Sequence, residues 1–235
     1  MKVIGVLLFG GIGTRVGAIL PKQFIEVCGK TILEHTIEKF EQHPKIDKIV
    51  IVSNSNYIDL VYEYINKNKW NKISSVVPGG KERSDSSIAA INACLSIEND
   101  AHILIHDGIR PLVTNKIISD VAEALQYHNS VNVVFPVRET IIEVRNNILY
   151  NVPDRSTLYT GQSPQGFRLS TLVNAYKEAI KDPYFKATDD CGVVMKYLPN
   201  EVTSTIIGDE NNLKFTYESD LLIIQHLLLK QQISQ

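Results

Sequence analysis

At 235 residues, with 44% hydrophobic and 21% charged side chains, the chain is long enough for one substantial α/β domain with a core of its own. A formal net charge of -2 without any run of like charges argues against a basic field of the kind that drives nucleic-acid or membrane-surface binding, and points to a small ligand. Cys28, Cys94 and Cys191 are widely spaced and lack Cys-x-x-Cys or clustered His partners, so neither a disulfide framework nor a zinc site is expected. No apolar run approaches membrane-spanning length or leads into a leader-like cleavage site, which predicts a cytoplasmic protein.

The first predicted strand, residues 3–9, runs straight into Gly10-Gly11-Ile12-Gly13-Thr14-Arg15, with Lys22 following in Pro21-Lys22-Gln23. A turn at the carboxyl end of a buried parallel strand is where open α/β sheets bind ligands, and glycines let backbone N–H groups approach phosphate oxygens. Position 16 is Val, so a dinucleotide fingerprint fails; Phe24 stands five residues before Gly29-Lys30-Thr31, so a Walker loop fails too, and those three residues read as a turn into a helix. Arg15 supplies a fixed fork of donors and Lys22 a point charge, as a polyphosphate site requires.

Further strands are expected at 48–53, 73–77, 103–106, 131–137 and 202–207. Between them lie helical faces: Leu33, Ile37 and Phe40; then Ile88, Ala89, Ile91 and Leu95; then Ile117, Ile118, Val121 and Leu125. This alternation predicts a mostly parallel sheet with helices on both faces, in one domain spanning residues 1–235. Gly79 to Ser86 follows a strand and opens a helix, with Ser84 or Asp85 as a natural N-cap. His106-Asp107-Gly108-Ile109-Arg110-Pro111 ends a strand on the same crevice as the glycine loop; Asp107 is placed either to hold a magnesium ion bridging phosphates or to cap the following turn.

Residues 139–155 interrupt the rhythm. Two alternating runs, 140–144 and 148–152, flank Asn146-Asn147 and predict a β-hairpin arm with no helix to cover it. Such an arm either pairs with another subunit or folds back over its own sheet edge. Helices are then expected at about 170–181, 189–197 and 218–231, the last so broadly apolar that deep packing is expected. Thr140, Arg155 and Lys214 together offer a hydroxyl, a guanidinium and an ammonium, enough for a second phosphate group.

The ordered series of these motifs, with Asp154-Arg155, Gln162-Ser163-Pro164-Gln165, Thr188-Asp189-Asp190 and Leu213-Lys214-Phe215-Thr216, resembles the cytidylyltransferases acting on methylerythritol 4-phosphate and ribitol 5-phosphate, across nearly the whole chain. The resemblance implies a Rossmann-like nucleotidyltransferase fold, a homodimer embraced through the hairpin arm, and a divalent cation such as Mg²⁺. It assigns Gly10, Gly11, Gly13, Thr14, Arg15 and Lys22 to the CTP triphosphate and Gly80 and Ser86 to the cytosine. Asp107 falls where the family handles magnesium and the ribose side, Lys214 where it stabilises the reacting phosphates, and Thr140 and Arg155 where the other subunit reaches the acceptor phosphate.

A dianionic acceptor phosphate needs no strong general base to attack the α-phosphorus of CTP, so His35, His102 and His106 are expected to be structural, and Cys191 a helix residue. The glycine loop and Tyr159-Thr160-Gly161-Gln162 resemble the ribitol 5-phosphate branch more than the methylerythritol one. Phe9 stands where a small residue is usual, Gly108-Ile109 replaces the commoner Ala-Ala or Ala-Val, and Ser163 replaces Thr. The alternatives are the methylerythritol 4-phosphate enzyme and, in another class, a nucleotide-binding protein without catalysis.

Overall fold

A computed structural model describes residues 1–11 and 21–233. Seven strands make its main sheet: β1 (Lys2–Phe9), β4 (Lys48–Ser53), β5 (Ile73–Pro78), β6 (Ala101–Asp107), β7 (Ser130–Pro136), β10 (Tyr159–Arg168) and β11 (Thr203–Ile207), in the order β11-β7-β10-β6-β1-β4-β5. All neighbours run parallel except β10, which is antiparallel to both β6 and β7. The expected strands all form, with ends shifted by a few residues at most.

β10 is the strand that periodicity misses. Gly161, Pro164 and Gly166 interrupt it, and such residues ordinarily mark an edge or a bulge rather than a strand flanked on both sides. The pairing with β7 accordingly shifts register between Gln162 and Gly166, while Gln165 to Arg168 pair without a break against β6. A Cβ on Gly166 would stand 2.5 Å from Val121 Cγ1, so the glycine admits the helix lying across it.

Helices cover both faces. On one lie α3 (Arg83–Ile97), α5 (Leu169–Ala179) and α6 (Asp190–Tyr197), closing over Ile4, Val6, Val50, Ile103 and Phe167; on the other, α1 (Ile32–Glu41), α2 (Ile58–Asn68) and α4 (Asn115–Ala124) close over Leu7, Ile49, Ile51, Leu104 and Val133. The predicted faces of α1 and α4 are buried as expected. The face of α3 is rotated: Ser87, Ala90, Ile91 and Cys94 turn inward and Leu95 outward, because Cys94 and the small residues let the helix lie close on the sheet.

The turn into α1 forms as its residues suggest. A two-residue ladder, β2 (Glu26–Val27) with β3 (Lys30–Thr31), turns at Cys28 and Gly29, both at positive φ, and Thr31 then caps the helix. Thr31 Oγ1 accepts from the Glu34 backbone N–H at 3.1 Å while Glu34 Oε2 accepts from the Thr31 backbone N–H at 2.8 Å, a reciprocal capping box.

The hairpin also forms, as β8 (Glu143–Arg145) and β9 (Ile148–Asn151), with Asn146 and Asn147 in the left-handed region as a two-residue hairpin turn requires. Among the described residues its strands pair with each other and with none of the main sheet. Ile142, Val144, Ile148, Leu149, Tyr150 and Val152 are all exposed along it. The closing helix α7 (Glu218–Ile233) corrects a second expectation: Ile224 and Leu228 pack against Phe215, Ile32 and Leu112, but Leu222, Ile223 and Leu229 face outward, so its apolar breadth is not matched by deep burial.

Candidate active site

A cleft of about 640 Å³ opens at the carboxyl ends of β1, β5 and β6. Gly10, Gly11, Lys22, Gly80, Ser86, Asp107 and Lys214 all line it, so the structure gathers these sequence-predicted residues into one place. Gly13, Thr14 and Arg15 lie outside the described residues. Thr140 and Arg155 do not line the cleft; Thr140 is exposed in the arm, and Arg155, at its base, donates from Nη1 to the Arg138 carbonyl at 3.0 Å.

Each wall is held by its own bonds. Lys22 opens a short 3₁₀ turn after Pro21, and the next residue, Gln23, is buried and donates from Nε2 to the Phe9 carbonyl at 3.1 Å, which ties the turn to the end of β1. Opposite, Gly79 and Gly80 bend β5 into α3. A Cβ on Gly79 would fall 2.7 Å from Ser86 Oγ and one on Gly80 2.1 Å from Asp85 Cβ, so the paired glycines let the turn fold down on its own helix. The N-cap here is Glu82, not Ser84 or Asp85: the helix starts one residue earlier than Ser84, and Asp85 serves as the third helical residue, its Oδ2 accepting from the Glu82 backbone N–H at 3.0 Å.

Asp107 stands at the tip of β6. Its Oδ2 lies 2.9 Å from Lys214 Nζ and 3.5 Å from Arg110 Nε. Burial alone would push its carboxyl pKa up; Lys214 and Arg110 outweigh burial and hold it well below the usual carboxylate range. Lys214 is brought there by a loop bolted to the sheet: Phe215 is fully buried and its backbone N–H donates to the Ile109 carbonyl at 2.9 Å, Arg110 Nη1 donates to the Asn212 carbonyl at 2.6 Å, and Asn212 Nδ2 donates to the Ser163 carbonyl at 2.9 Å.

Behind Asp107, His106 is fully buried. Its Nε2 lies 3.1 Å from the Arg110 carbonyl and so carries the proton; its Nδ1, 3.0 Å from Ser163 Oγ, accepts from that hydroxyl, whose oxygen in turn accepts from the Asp107 backbone N–H at 3.1 Å. Burial pushes the imidazole pKa down to about 4, which keeps it neutral near pH 7. His35 likewise meets the Val27 carbonyl through Nε2 at 2.8 Å, His102 lies buried in β6, and Cys191 is buried in α6.

The structure adds Arg83 to the site. Arg83 lines the cleft, and its Nη1 lies 2.7 Å from Oδ2 of the fully buried Asp190. The sequence carries a signal for it in Gly79-Gly80-x-x-Arg83, an arginine that capping leaves unexplained, and for Asp190 in the motif Thr188-Asp189-Asp190, but none that the two meet across 107 residues.

With Lys22, Lys81, Arg83 and Lys214 set against Glu82 and Asp107, the cleft is built for polyanionic ligands. No group of three or more His, Cys, Asp or Glu that could cage a metal exists among the described residues. Mg²⁺ is commonly held by one or two carboxylates together with substrate phosphates, so the donor set fits a cation carried in on a triphosphate beside Asp107, not one bound by the protein alone.

Comparison with known proteins gives the family and the fold. Residues 3–230 match the family described as IspD: 2-C-methyl-D-erythritol 4-phosphate cytidylyltransferase. The chain is 37% identical over 232 residues to the 2-C-methyl-D-erythritol 4-phosphate cytidylyltransferase of Thermobifida fusca (strain YX), covering 97% of this chain and 93% of that one. It is 39% identical over 228 residues to the bifunctional ribulose 5-phosphate reductase/CDP-ribitol pyrophosphorylase Bcs1 of Haemophilus influenzae, covering 96% of this chain and 48% of that one. In fold it matches the 4-diphosphocytidyl-2C-methyl-D-erythritol synthase of Anaerococcus prevotii DSM 20548 with a TM-score of 0.84 at 23% identity, over 97% of this chain and 96% of that one. The chain belongs to the IspD family of CTP-dependent cytidylyltransferases.

Proposed function

We propose that the protein transfers CMP from CTP to D-ribitol 5-phosphate, giving CDP-ribitol and pyrophosphate. The observation that carries the acceptor is the ribitol-like pairing of Gly10-Gly11-Ile12-Gly13-Thr14-Arg15 with Tyr159-Thr160-Gly161-Gln162 in one chain, supported by its 39% identity to a CDP-ribitol pyrophosphorylase. The second reading, transfer to 2-C-methyl-D-erythritol 4-phosphate, is favoured by the family match and by the Thermobifida fusca relative.

In this reading an oxygen of the acceptor phosphate attacks the α-phosphorus of CTP, a new P–O bond forms, the bond to the β-phosphate oxygen breaks, and pyrophosphate leaves with the electron pair. The acceptor is already largely dianionic near neutral pH, so repulsion between anions is the barrier rather than proton removal. Gly10, Gly11, Gly13 and Thr14 cradle the triphosphate, Arg15 and Lys22 offset its charge, and Gly80 and Ser86 read the cytosine. Lys214 stabilises charge developing on the α-phosphate, and Asp107 keeps Lys214 oriented toward it. A divalent cation such as Mg²⁺, which Asp107 would help hold together with the substrate phosphates, would supply further charge neutralisation.

Thr140 and Arg155 complete the acceptor site from a second copy of the chain, whose body covers the exposed apolar side chains of the arm. No helix among the described residues is long and apolar enough to cross a membrane, and the three free cysteines favour a cytoplasmic setting.

The test is pyrophosphate release with Mg²⁺, CTP and each acceptor in turn. A kcat/KM for ribitol 5-phosphate well above that for methylerythritol 4-phosphate is expected; the reverse order establishes the second reading. CTP binding with no turnover on either acceptor, or on other sugar-alcohol phosphates, would instead indicate a nucleotide-binding protein.

A further inference from the structure

Residues 208–217, between β11 and α7, carry Lys214 and form neither helix nor strand. The backbone groups of such a loop need partners from outside it. One side chain of β10 supplies several. Gln162 Nε2 donates to the Asp209 carbonyl at 2.8 Å, while its Oε1 accepts from the Asp209 backbone N–H at 3.4 Å and from Asn212 Nδ2 at 3.2 Å. A primary amide offers donors and an acceptor together, so Gln162 meets both backbone groups of Asp209 as a neighbouring strand would. Gly208 makes the room: a Cβ there would stand 2.3 Å from Gln162 Oε1.

The next residue of β10 reaches both sides of the site. The Ser163 carbonyl accepts from Asn212 Nδ2 at 2.9 Å, and Ser163 Oγ accepts from the Asp107 backbone N–H at 3.1 Å. Both residues belong to the stretch where the pairing of β10 with β7 shifts register, and a broken ladder releases backbone groups for other partners. Adjacent positions of β10 thus hold the Lys214 loop and the end of β6, and the 2.9 Å between Lys214 Nζ and Asp107 Oδ2 is set from that common base. Gln162 is not among the described residues that line the cleft, so any part it has in the reaction is played through the loop.

We propose that Gln162 is a positioning residue for the transfer step: by gripping Asp209 and Asn212 it sets Lys214, two residues further on, against the reacting phosphates, and Gly208 is the residue that admits it. This rests on the charge-stabilising role of Lys214 in the proposed function.

The test measures, on the full-length enzyme, the single-turnover rate of CMP transfer at saturating CTP and at saturating ribitol 5-phosphate or methylerythritol 4-phosphate, whichever reacts faster. CTP Kd and thermal melting accompany it. Gln162→Leu, Lys214→Ala and the double variant are compared with Ile206→Ala, a packing loss in β11 beside the loop. Gln162→Leu keeps the bulk but neither donates nor accepts, and is expected to slow transfer about tenfold with CTP Kd within about twofold of wild type. In the Lys214→Ala background the same change should cost less than about twofold, because the ammonium it positions is gone. Ile206→Ala should lower the melting temperature and leave the transfer rate within about twofold of wild type. Gly208→Ala, which presses on the flexible end of Gln162, should reproduce the loss and carries the test where Gln162→Leu does not fold. A wild-type rate in folded Gln162→Leu overturns the proposal, as does an equal loss in Ile206→Ala or an undiminished further loss in the Lys214→Ala background. Near-normal transfer by Lys214→Ala sinks the role of Lys214 and the proposal with it, whereas a slow Lys214→Ala beside a normal Gln162→Leu sinks the proposal alone. A wild-type protein that transfers nothing to either acceptor removes the proposed function and this role together.

Discussion

The ring of Phe9 occupies the space that a Cβ on residue 108 would need: the ideal Cβ position on Gly108 is 2.3 Å from both Phe9 Cδ1 and Cε1. The two departures from the usual family pattern at these positions are thus one exchange of volume, a large side chain at the end of β1 matched by none after β6. Gly108 also donates its backbone N–H to the Leu8 carbonyl at 2.9 Å and accepts from Thr36 Oγ1 at 2.8 Å, so the backbone cannot move aside to make room.

Gly108→Ala is therefore expected to destabilise the protein by about 1–3 kcal/mol through overpacking. Phe9→Ala should cost about 3–5 kcal/mol through the cavity it leaves. The double variant should be more stable than the sum of the two implies, by roughly 1 kcal/mol or more, because each change relieves the other. Chemical denaturation of the four proteins measures this coupling; strict additivity would show that the ring and the glycine do not share the space.

Lys214 and Asp107 give a second prediction. With Lys214 Nζ 2.9 Å from Asp107 Oδ2, Lys214→Met removes the ammonium that meets Asp107 and leaves the carboxylate with Arg110 at 3.5 Å. Turnover should fall by roughly 100-fold or more, in the range seen when a charge-stabilising donor is lost, with a melting temperature near wild type because Lys214 is half exposed. Lys22→Ala should behave alike. Steady-state kinetics alongside melting curves separate this from unfolding; near-normal kcat in either variant removes the assigned role.

Much of this site is legible in the chain itself, because glycines, a proline and cations cluster in short motifs at strand ends, where the physics of phosphate binding is local. Asp107 and Lys22 belong to that class. What periodicity does not disclose is long-range: Asp190 as the partner of Arg83, Asn212 as the clamp on the Ser163 carbonyl, and β10 as a strand between two others in spite of Gly161, Pro164 and Gly166. Each depends on contacts between segments far apart in sequence. The outward faces of α7 mislead for a related reason, since an apolar side chain reports a preference for burial and not whether a partner surface is present.

Glu34 sets the acid limit of stability at one helix start. Burial alone would raise its pKa, but the Thr31 backbone N–H, Asn68 and Lys67 outweigh burial and lower it from 4.5 to about 2. A depressed carboxylate contributes stability that is fully present above pH 4.5 and is lost as pH falls toward 2. Glu34→Gln should therefore be less stable than wild type at pH 7, and the gap should narrow steadily below pH 4.5. Denaturant titrations across that range test it; a gap that stays constant would mean the carboxylate's charge contributes nothing.

The buried imidazole of His106 has the same sign of dependence for a different reason. Its pKa is lowered from 6.5 to about 4 by burial, so the neutral form belongs to the folded state, and the stability it contributes above pH 6.5 is lost as pH falls toward 4. Its ring resonances in a proton–carbon NMR titration should stay constant from pH 8 down to about 5. A titration centred near 6.5 would show that the ring is solvated, and that the chain of bonds through Ser163 does not hold Asp107 in place.

The arm carries the last prediction, because it joins assembly to chemistry. Ile148 is 70% and Leu149 59% exposed on a two-stranded hairpin that pairs with no other strand among the described residues, and such a hairpin is marginal in water by itself. If a second copy covers it, Thr140 and Arg155 at the arm enter the partner's cleft, and each site is made by two chains. Ile148→Asp should then shift the protein from dimer to monomer in light scattering and abolish turnover while CTP still binds. Arg155→Ala should chiefly raise the acceptor KM, and Lys214→Ala should chiefly lower kcat. In a heterodimer of those two variants, one cleft receives an intact Lys214 from one chain and an intact Arg155 from the other, while the opposite cleft receives neither. Random exchange of equal amounts should thus restore about one quarter of wild-type activity, since half the dimers are mixed and half their sites are complete. If each chain built its own site instead, no mixture would exceed the average of the two variants assayed separately, and a monomeric wild-type protein with full activity would dispose of the shared site altogether.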